Sequence, residues 1–247
     1  MNTSETLHQL SELKLRGMAM AYQSQLELPM DQHLEAHEMV AQLTQSELSS
    51  RSQERTTYYL KLAKLRIPAT PQQVKCNTTR NLTKQQLAVL LQGDYIKNGQ
   101  PVLITGPTGC GKSYLACALA HQGCHQGYRT QYYSMTRFIE KVTLSKLDGT
   151  YLKLLAHLDR TPIIILDDFG IQPIDQNVRL TILQMLEDRY NRRTIIFTSQ
   201  LPVAKWHEYL NDPTLADAIM DRLTAKAVRI ELKGESLRKT ETLTDKM

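Results

Sequence analysis

The stretch Gly106-Pro107-Thr108-Gly109-Cys110-Gly111-Lys112-Ser113 constrains the fold more than any other part of the 247-residue chain. It follows the apolar run PVLIT and opens the helix-like run YLACALAHQ, so it reads as the loop of a strand–loop–helix unit. Its glycines let the backbone curl until several N–H groups converge on phosphate oxygens. The helix N-terminus that follows adds favourable potential for an anion. Residues Gly106 to Ser113, with Tyr114 beside them, are therefore expected to hold a nucleotide. Lys112 should reach the β- and γ-phosphates, and the Ser113 hydroxyl should ligate Mg²⁺. A glycine-rich turn carrying a lysine by accident is the bland alternative; the full motif in its proper setting argues against it.

A second element fits the first. Ile163, Ile164, Ile165 and Leu166 are followed by Asp167 and Asp168, which reads as a buried strand with two acids at its C-terminal edge. Asp167 is expected to hold Mg²⁺, directly or through water, and Asp168 to polarise an attacking water. Solvated acids at the end of a strand are common, so this element takes its meaning from the loop upstream. Thr194–Thr198 reads as a further buried strand running into Ser199 and Gln200, which puts a polar residue near the γ-phosphate or leaves Gln200 as an ordinary loop residue.

The whole chain organises around this unit. Residues from about Thr3 to Arg66 read as helical. Leu15, Met18, Tyr22 and Leu26 recur at helical spacing, and Gly17 is expected to mark a break between short helices. Asp31 is expected to cap a second helix to about Leu48, and a third is expected from Glu54 to about Leu65. Pro68 and Pro71 mark a linker. Beyond it, β-branched runs at Val102–Thr105, Thr130–Ser134, Ile163–Leu166, Thr194–Thr198 and Val228–Leu232 alternate with helical segments such as Tyr114–Gln126 and Val178–Asn191. That alternation predicts an α/β fold with a parallel sheet covered on both faces. The expected division is a helical domain over 1–67, a linker over 68–75 and a nucleotide-binding domain over 76–247.

Composition narrows the setting. Apolar residues make up 41% of the chain, enough for a real core. Thirty basic residues against 25 acidic ones give a formal charge of +5, which permits a polyanionic partner without demanding one. Cys76, Cys110, Cys117 and Cys124 form no C-x-x-C pair and read as reduced thiols. No apolar run approaches the roughly 20 residues that span a bilayer, and no signal peptide is visible. The expectation is a cytoplasmic protein with no membrane partner.

The stretches LITGPTGCGKSYLACAL, IIILDDFG, IIFTSQLP, DAIMDRL and GESLRK together resemble the AAA+ branch of P-loop ATPases, and more narrowly the IstB/DnaC group of transposition helpers and helicase loaders. LKLRGMAMAY, followed by the basic LKLAKLR, is similar to the IstB side. The resemblance covers nearly the whole chain and implies a five-stranded parallel sheet of order 5-1-4-3-2. It implies ATP and Mg²⁺ as cofactors. Arg222, in MDRL, matches an arginine finger acting across a subunit interface; read alone it is a surface arginine paired with Asp221 or Asp217. Arg238, in GESLRK, matches a second nucleotide-sensing position, and Gln200 matches the first. Many AAA+ proteins have Glu where this chain has Asp168 and Asn where it has Gln200, so hydrolysis is expected to be slow or to depend on a partner.

The resemblance also implies work on DNA. Arg51, Arg55, Lys61, Lys64 and Arg66 face a single acid, Glu54, between residues 49 and 66. Such a stripe would give salt-dependent, largely sequence-independent DNA affinity. Read without the resemblance, it is a solvated helix face. Arg137 and Lys141, four residues apart, form a second candidate DNA-binding set. The expected function is an ATP-dependent DNA-binding ATPase that self-assembles on duplex DNA, with ATP at subunit interfaces, and assists a transposase. The alternatives are a helicase loader that binds single-stranded DNA, a small-molecule kinase, and a nucleotide-binding scaffold.

Overall fold

The computed structural model describes residues 3–237. Two compact units divide the chain, Met1–Tyr58 and Tyr59–Met247.

The first unit holds α1 (Thr3–Glu12), α2 (Arg16–Leu26) and most of α3 (Ala36–Ala63). The break between the first two helices falls at Leu13–Leu15, not at Gly17, which lies in the first turn of α2. Gly17 serves packing instead: a Cβ there would sit 2.4 Å from the Ser46 carbonyl oxygen and 2.6 Å from Glu47 Cα. This close approach lets α3 cap α2. Leu15, at the N-cap, offers no side-chain acceptor. Glu47 supplies one, accepting the Gly17 N–H at 2.8 Å and the Met18 N–H at 3.3 Å. A carboxylate at a helix N-terminus is favoured by both the free N–H groups and the helix dipole. Two helices had been expected between Asp31 and Leu65; one helix spans nearly all of it. Residues 36–63 contain no Gly or Pro to interrupt it, and Asp31 lies in a short 3₁₀ turn, Met30–Gln32.

The second unit begins inside α3, earlier than the expected boundary at residue 67. The reason is packing. Leu65, Ile67, Ala69 and Val74 belong to the core of this unit, so the proline-marked segment is part of the domain. It continues with α4 (Lys84–Gln92), α5 (Asp94–Lys97), β1 (Val102–Thr105), α6 (Lys112–His125), β2 (Thr130–Ser134), α7 (Met135–Leu147), α8 (Tyr151–Arg160), β3 (Ile163–Phe169), α9 (Gln176–Arg189), β4 (Thr194–Ser199), α10 (Trp206–Leu210), α11 (Pro213–Thr224) and β5 (Val228–Glu231).

The strands form one parallel sheet in the order β2-β3-β4-β1-β5, the expected order read from its other edge. Side chains alternate across a strand. Ile163, Ile165, Val102, Ile104 and Ile196 point to the face covered by α4 and α6. Ile164, Leu166, Leu103, Ile195 and Phe197 point to the face covered by α7, α8 and α9. Both faces of β1, β3 and β4 are buried, which is why these three strands carry runs of apolar residues, while the edge strands β2 and β5 keep polar ones. The loops after β1, β3, β4 and β5 therefore meet at one edge of the sheet.

Candidate nucleotide and hydrolysis site

A cavity of about 660 Å³ opens at that edge. Its floor is the loop between β1 and α6. Gly106 has φ 147° and Gly111 has φ 90°, both in the region that side chains rarely adopt. A Cβ on Gly106 would lie 2.3 Å from the Leu232 carbonyl oxygen, so this position is closed to larger residues. Gly111 precedes α6 and provides no side-chain cap, which leaves first-turn N–H groups of α6 directed at the cavity. The Lys112 ammonium folds back onto the Pro107 carbonyl at 2.9 Å. Thr108, Gly109, Gly111, Lys112, Ser113 and Tyr114 line the cavity, while the Cys110 side chain is fully buried. Tyr114 donates to Gln73 at 2.8 Å on the cavity wall.

The two acids of β3 occupy different environments. Asp167 is fully buried. Its Oδ1 accepts from Ser113 at 2.8 Å and from Thr198, and its Oδ2 accepts from Tyr132 at 2.5 Å. Asp168 sits on a β-bulge: Leu166 pairs with Phe197, but the next pair is Phe169 with Ser199, so β3 carries one extra residue. The bulge puts Asp168 at φ 66°, a left-handed conformation that costs about 1–3 kcal/mol for a non-glycine residue. Its N–H is held by Thr198 Oγ1 at 3.0 Å. The distortion turns the Asp168 side chain into the cavity instead of the core. Burial, with the neighbouring Asp167 charge, raises the Asp168 pKa above the ordinary carboxylate value. The donor set fits a hard divalent cation: a serine hydroxyl and a carboxylate in mutual contact, with a second carboxylate adjacent. Ser113 and Asp167 are the residues that could hold Mg²⁺.

Gln200 also reaches the cavity, accepting from the Thr108 hydroxyl at 2.7 Å. Arg222 does not. It donates to Glu187 at 2.8 Å and to the Ala218 carbonyl at 3.0 Å, so neither Asp221 nor Asp217 is its partner. Asp217 faces His207 at 3.1 Å. Arg238 lies outside the described residues.

Two arginines near the cavity had no such place in the sequence reading. Arg66, expected on a DNA-binding stripe, sits 3.2 Å from Asp168 Oδ2 and 3.6 Å from Asp167 Oδ2. Arg80 is buried and donates through one terminal nitrogen to the Cys110 carbonyl. Its Nε and other terminal nitrogen have no partner among the described residues. Neither role carries a local signal, because each depends on a contact between residues far apart in the chain.

The other basic candidates take separate positions. Arg51 pairs with Glu47 at 2.6 Å, while Arg55 and Lys61 are exposed. Arg137 and Lys141 line a shallow depression together with Lys153 and His157. Lys64 is close enough to add to burial in lowering the Lys141 pKa, and Lys141 with Arg129 does the same to His157, again after burial. Lys64 and Lys141 are thus neighbours in charge.

Residues 8–244 match the family described as IstB-like ATP binding protein. A putative insertion sequence ATP-binding protein of Sinorhizobium fredii is 39% identical over 236 residues, which is 96% of each chain. The putative ATP-binding protein of insertion sequence IS1162 from Pseudomonas fluorescens is 37% identical over 203 residues, covering 82% of this chain and 88% of the relative. Among solved structures, the DnaC helicase loader is similar with a TM-score of 0.56 at 19% identity, over 67% of this chain and 97% of that one. AMPPCP-bound DnaA from Aquifex aeolicus gives a TM-score of 0.59 at 19% identity, over 74% and 55%. At that identity the structural likeness shows the fold, that of an AAA+ module.

Proposed function

Because this chain belongs to the family of IstB-like ATP-binding proteins, we propose that it is an ATPase that assembles on duplex DNA and assists the transposase of an insertion sequence. One observation carries the hydrolytic part: the bulge in β3 brings Asp168 into the cavity that Lys112 and Ser113 line. The loop N–H groups, the α6 N-terminus and Lys112 bind the phosphates. Mg²⁺, held at Ser113 and Asp167, would supply charge neutralisation there. Asp168 orients and deprotonates the attacking water, and Gln200 positions it from the end of β4. Burial raises the Asp168 pKa above that of an exposed carboxylate, which makes it the stronger base.

Arg222 is absent from its own cavity, which supports its use across a subunit interface. ATP binding and self-assembly are then coupled, because the finger works only when a neighbour supplies it. The depression is lined by Arg137, Lys141 and Lys153 against Glu140 and Asp148, with the charge of Lys64 acting on Lys141. Such a cluster favours a polyanion, and duplex DNA is the polyanion that a cytoplasmic transposition protein meets. Relatives named for insertion sequences share 39% identity over nearly the full chain, which supports a transposase over a helicase as the partner.

The experiment is DNA binding to duplex and to single strands, with and without ATP, at one fixed salt concentration near physiological. Wild type and Lys112→Ala are compared. ATP-dependent preference for duplex, lost in Lys112→Ala, is expected. Preference for single strands would replace this reading with helicase loading, and an absence of DNA binding in every nucleotide state would sink both. Alanine at Lys64 and Lys141 should weaken binding on any sequence, each lowering the salt slope by about one.

A further inference from the structure

Arg66 is a cation placed on the two carboxylates of the hydrolytic centre from a segment outside the sheet. The contact spans 102 positions of sequence. Its backbone is fixed. Leu65 and Ile67 on either side pack into the core that includes α6, and the Cys117 thiol of α6 hydrogen-bonds to the backbone at Arg66 and Ile67. Its side chain is free by comparison, with 51% of its surface exposed. The guanidinium therefore rests on a firm anchor, shares a cavity with Lys112 and Ser113, and can change partner without large desolvation.

We propose that Arg66 reads the γ-phosphate of ATP in cis, its guanidinium passing from the Asp167–Asp168 pair to the γ-phosphate when the triphosphate binds. The reason is charge balance. Without nucleotide, two adjacent carboxylates need a cation, and Arg66 lies 3.2 Å from one and 3.6 Å from the other. Ser113 and Asp167 could hold a divalent ion, whose charge would offset those carboxylates and release the guanidinium. ATP brings a new anion to the same place, and the planar fork of arginine matches phosphate oxygens. ADP brings no γ-phosphate, so Arg66 gains no anion from it and adds little to ADP affinity. Arg66 is then a discriminator between triphosphate and diphosphate. It is distinct from Lys112, which both nucleotides use, and from Arg222, which a neighbouring subunit would supply.

This inference rests on the ATP-binding reading above. The full-length protein is titrated with ADP and with the β,γ-methylene analogue of ATP, both with Mg²⁺, by displacement of a fluorescent ADP. Wild type, Arg66→Ala, Arg66→Lys and Arg66→Gln are compared, with thermal unfolding as a check that each variant is folded. The quantity read is the ratio of the ADP Kd to the analogue Kd. Arg66→Ala and Arg66→Gln should each reduce that ratio about tenfold or more, because a charge-assisted contact is lost for one ligand only. Arg66→Lys, which keeps the charge and loses the fork, should fall between. A ratio within about twofold of wild type in both neutral variants would overturn the proposal and leave Arg66 as a structural partner of the carboxylates. If wild type binds neither nucleotide, the ATP-binding reading itself fails, and this inference fails with it.

Discussion

The hydroxyl of Thr198 holds both acids of β3: it donates to Asp167 and accepts the Asp168 N–H at 3.0 Å. One side chain from β4 thus fixes the residue proposed to bind Mg²⁺ and the strained residue proposed to activate water. Thr198→Val keeps the shape and removes both bonds, leaving the part-buried Asp168 N–H without its acceptor at a cost of about 1 kcal/mol. We expect hydrolysis to fall about tenfold or more with ATP affinity little changed, and Thr198→Ser to restore most of the rate. Parallel measurements of ATPase rate and nucleotide affinity would check this; an unchanged rate in Thr198→Val would mean that the bulge holds Asp168 without help.

Arg222 pairs with Glu187 and does not line the cavity, so its proposed part in hydrolysis is one played in another subunit. Arg222→Ala should reduce hydrolysis by about a thousandfold, the scale of arginine-finger losses, while leaving nucleotide binding intact. Asp168→Asn should be equally inactive for the opposite reason. Mixing the two inactive proteins should restore activity, since an Arg222→Ala active site can receive an intact finger from an Asp168→Asn neighbour. No recovery on mixing, in the presence of DNA, would place the finger elsewhere.

Arg189 holds the far end of the sheet. It is almost fully buried and donates to the carbonyls of Leu158, Thr161, Pro162 and Thr194, where β3 and β4 begin. Burial lowers its pKa to about 9, so it stays charged at neutral pH. Arg189→Met strands several buried acceptors and should cost about 3 kcal/mol or more, read as a lower midpoint in urea. Nucleotide affinity of the folded variant should be unchanged, because these contacts lie at the opposite edge from the cavity.

Glu47 predicts a pH dependence in the helical unit. Its hydrogen bond from Arg51, with those from the Met18 and Gly17 amides, holds its carboxyl below the ordinary value of 4.5. A depressed folded-state pKa stabilises above the unfolded value and loses that contribution as pH falls through the folded one. Hydrogen exchange at the Gly17 and Met18 amides should therefore be protected above about pH 4.5 and lose protection only below it. Glu47→Gln should flatten this acid dependence. Protection that is unchanged in the variant would show that the cap contributes nothing.

The nucleotide loop, the places of the five strands and a parallel sheet covered on both faces were legible in the residues alone. Those features rest on local pattern: a glycine spacing that only a curled backbone satisfies, and apolar runs whose length fits a sheet buried on both sides. The unbroken length of α3 was hidden, since Asp31 and the polar residues after Leu48 suggested two helices where none of them stops one. Gly17 was misjudged for a related reason. A glycine that ends a helix and one that admits a neighbouring helix look the same in one dimension.

Asp168 could be named from its place after Ile163–Leu166, but not its left-handed backbone, which arises from a register slip between β3 and β4. Arg66 shows the same limit more sharply. Between Lys64 and Pro68 it reads as one more basic residue on a stripe, and only the packing of Leu65 and Ile67 onto the core beside α6 brings it to the carboxylates. Periodicity and motif spacing act over a few residues, so the chain alone determined the elements and the phosphate loop. Charge partners more than a hundred residues apart are decided by how the elements pack, and that was left to the tertiary structure.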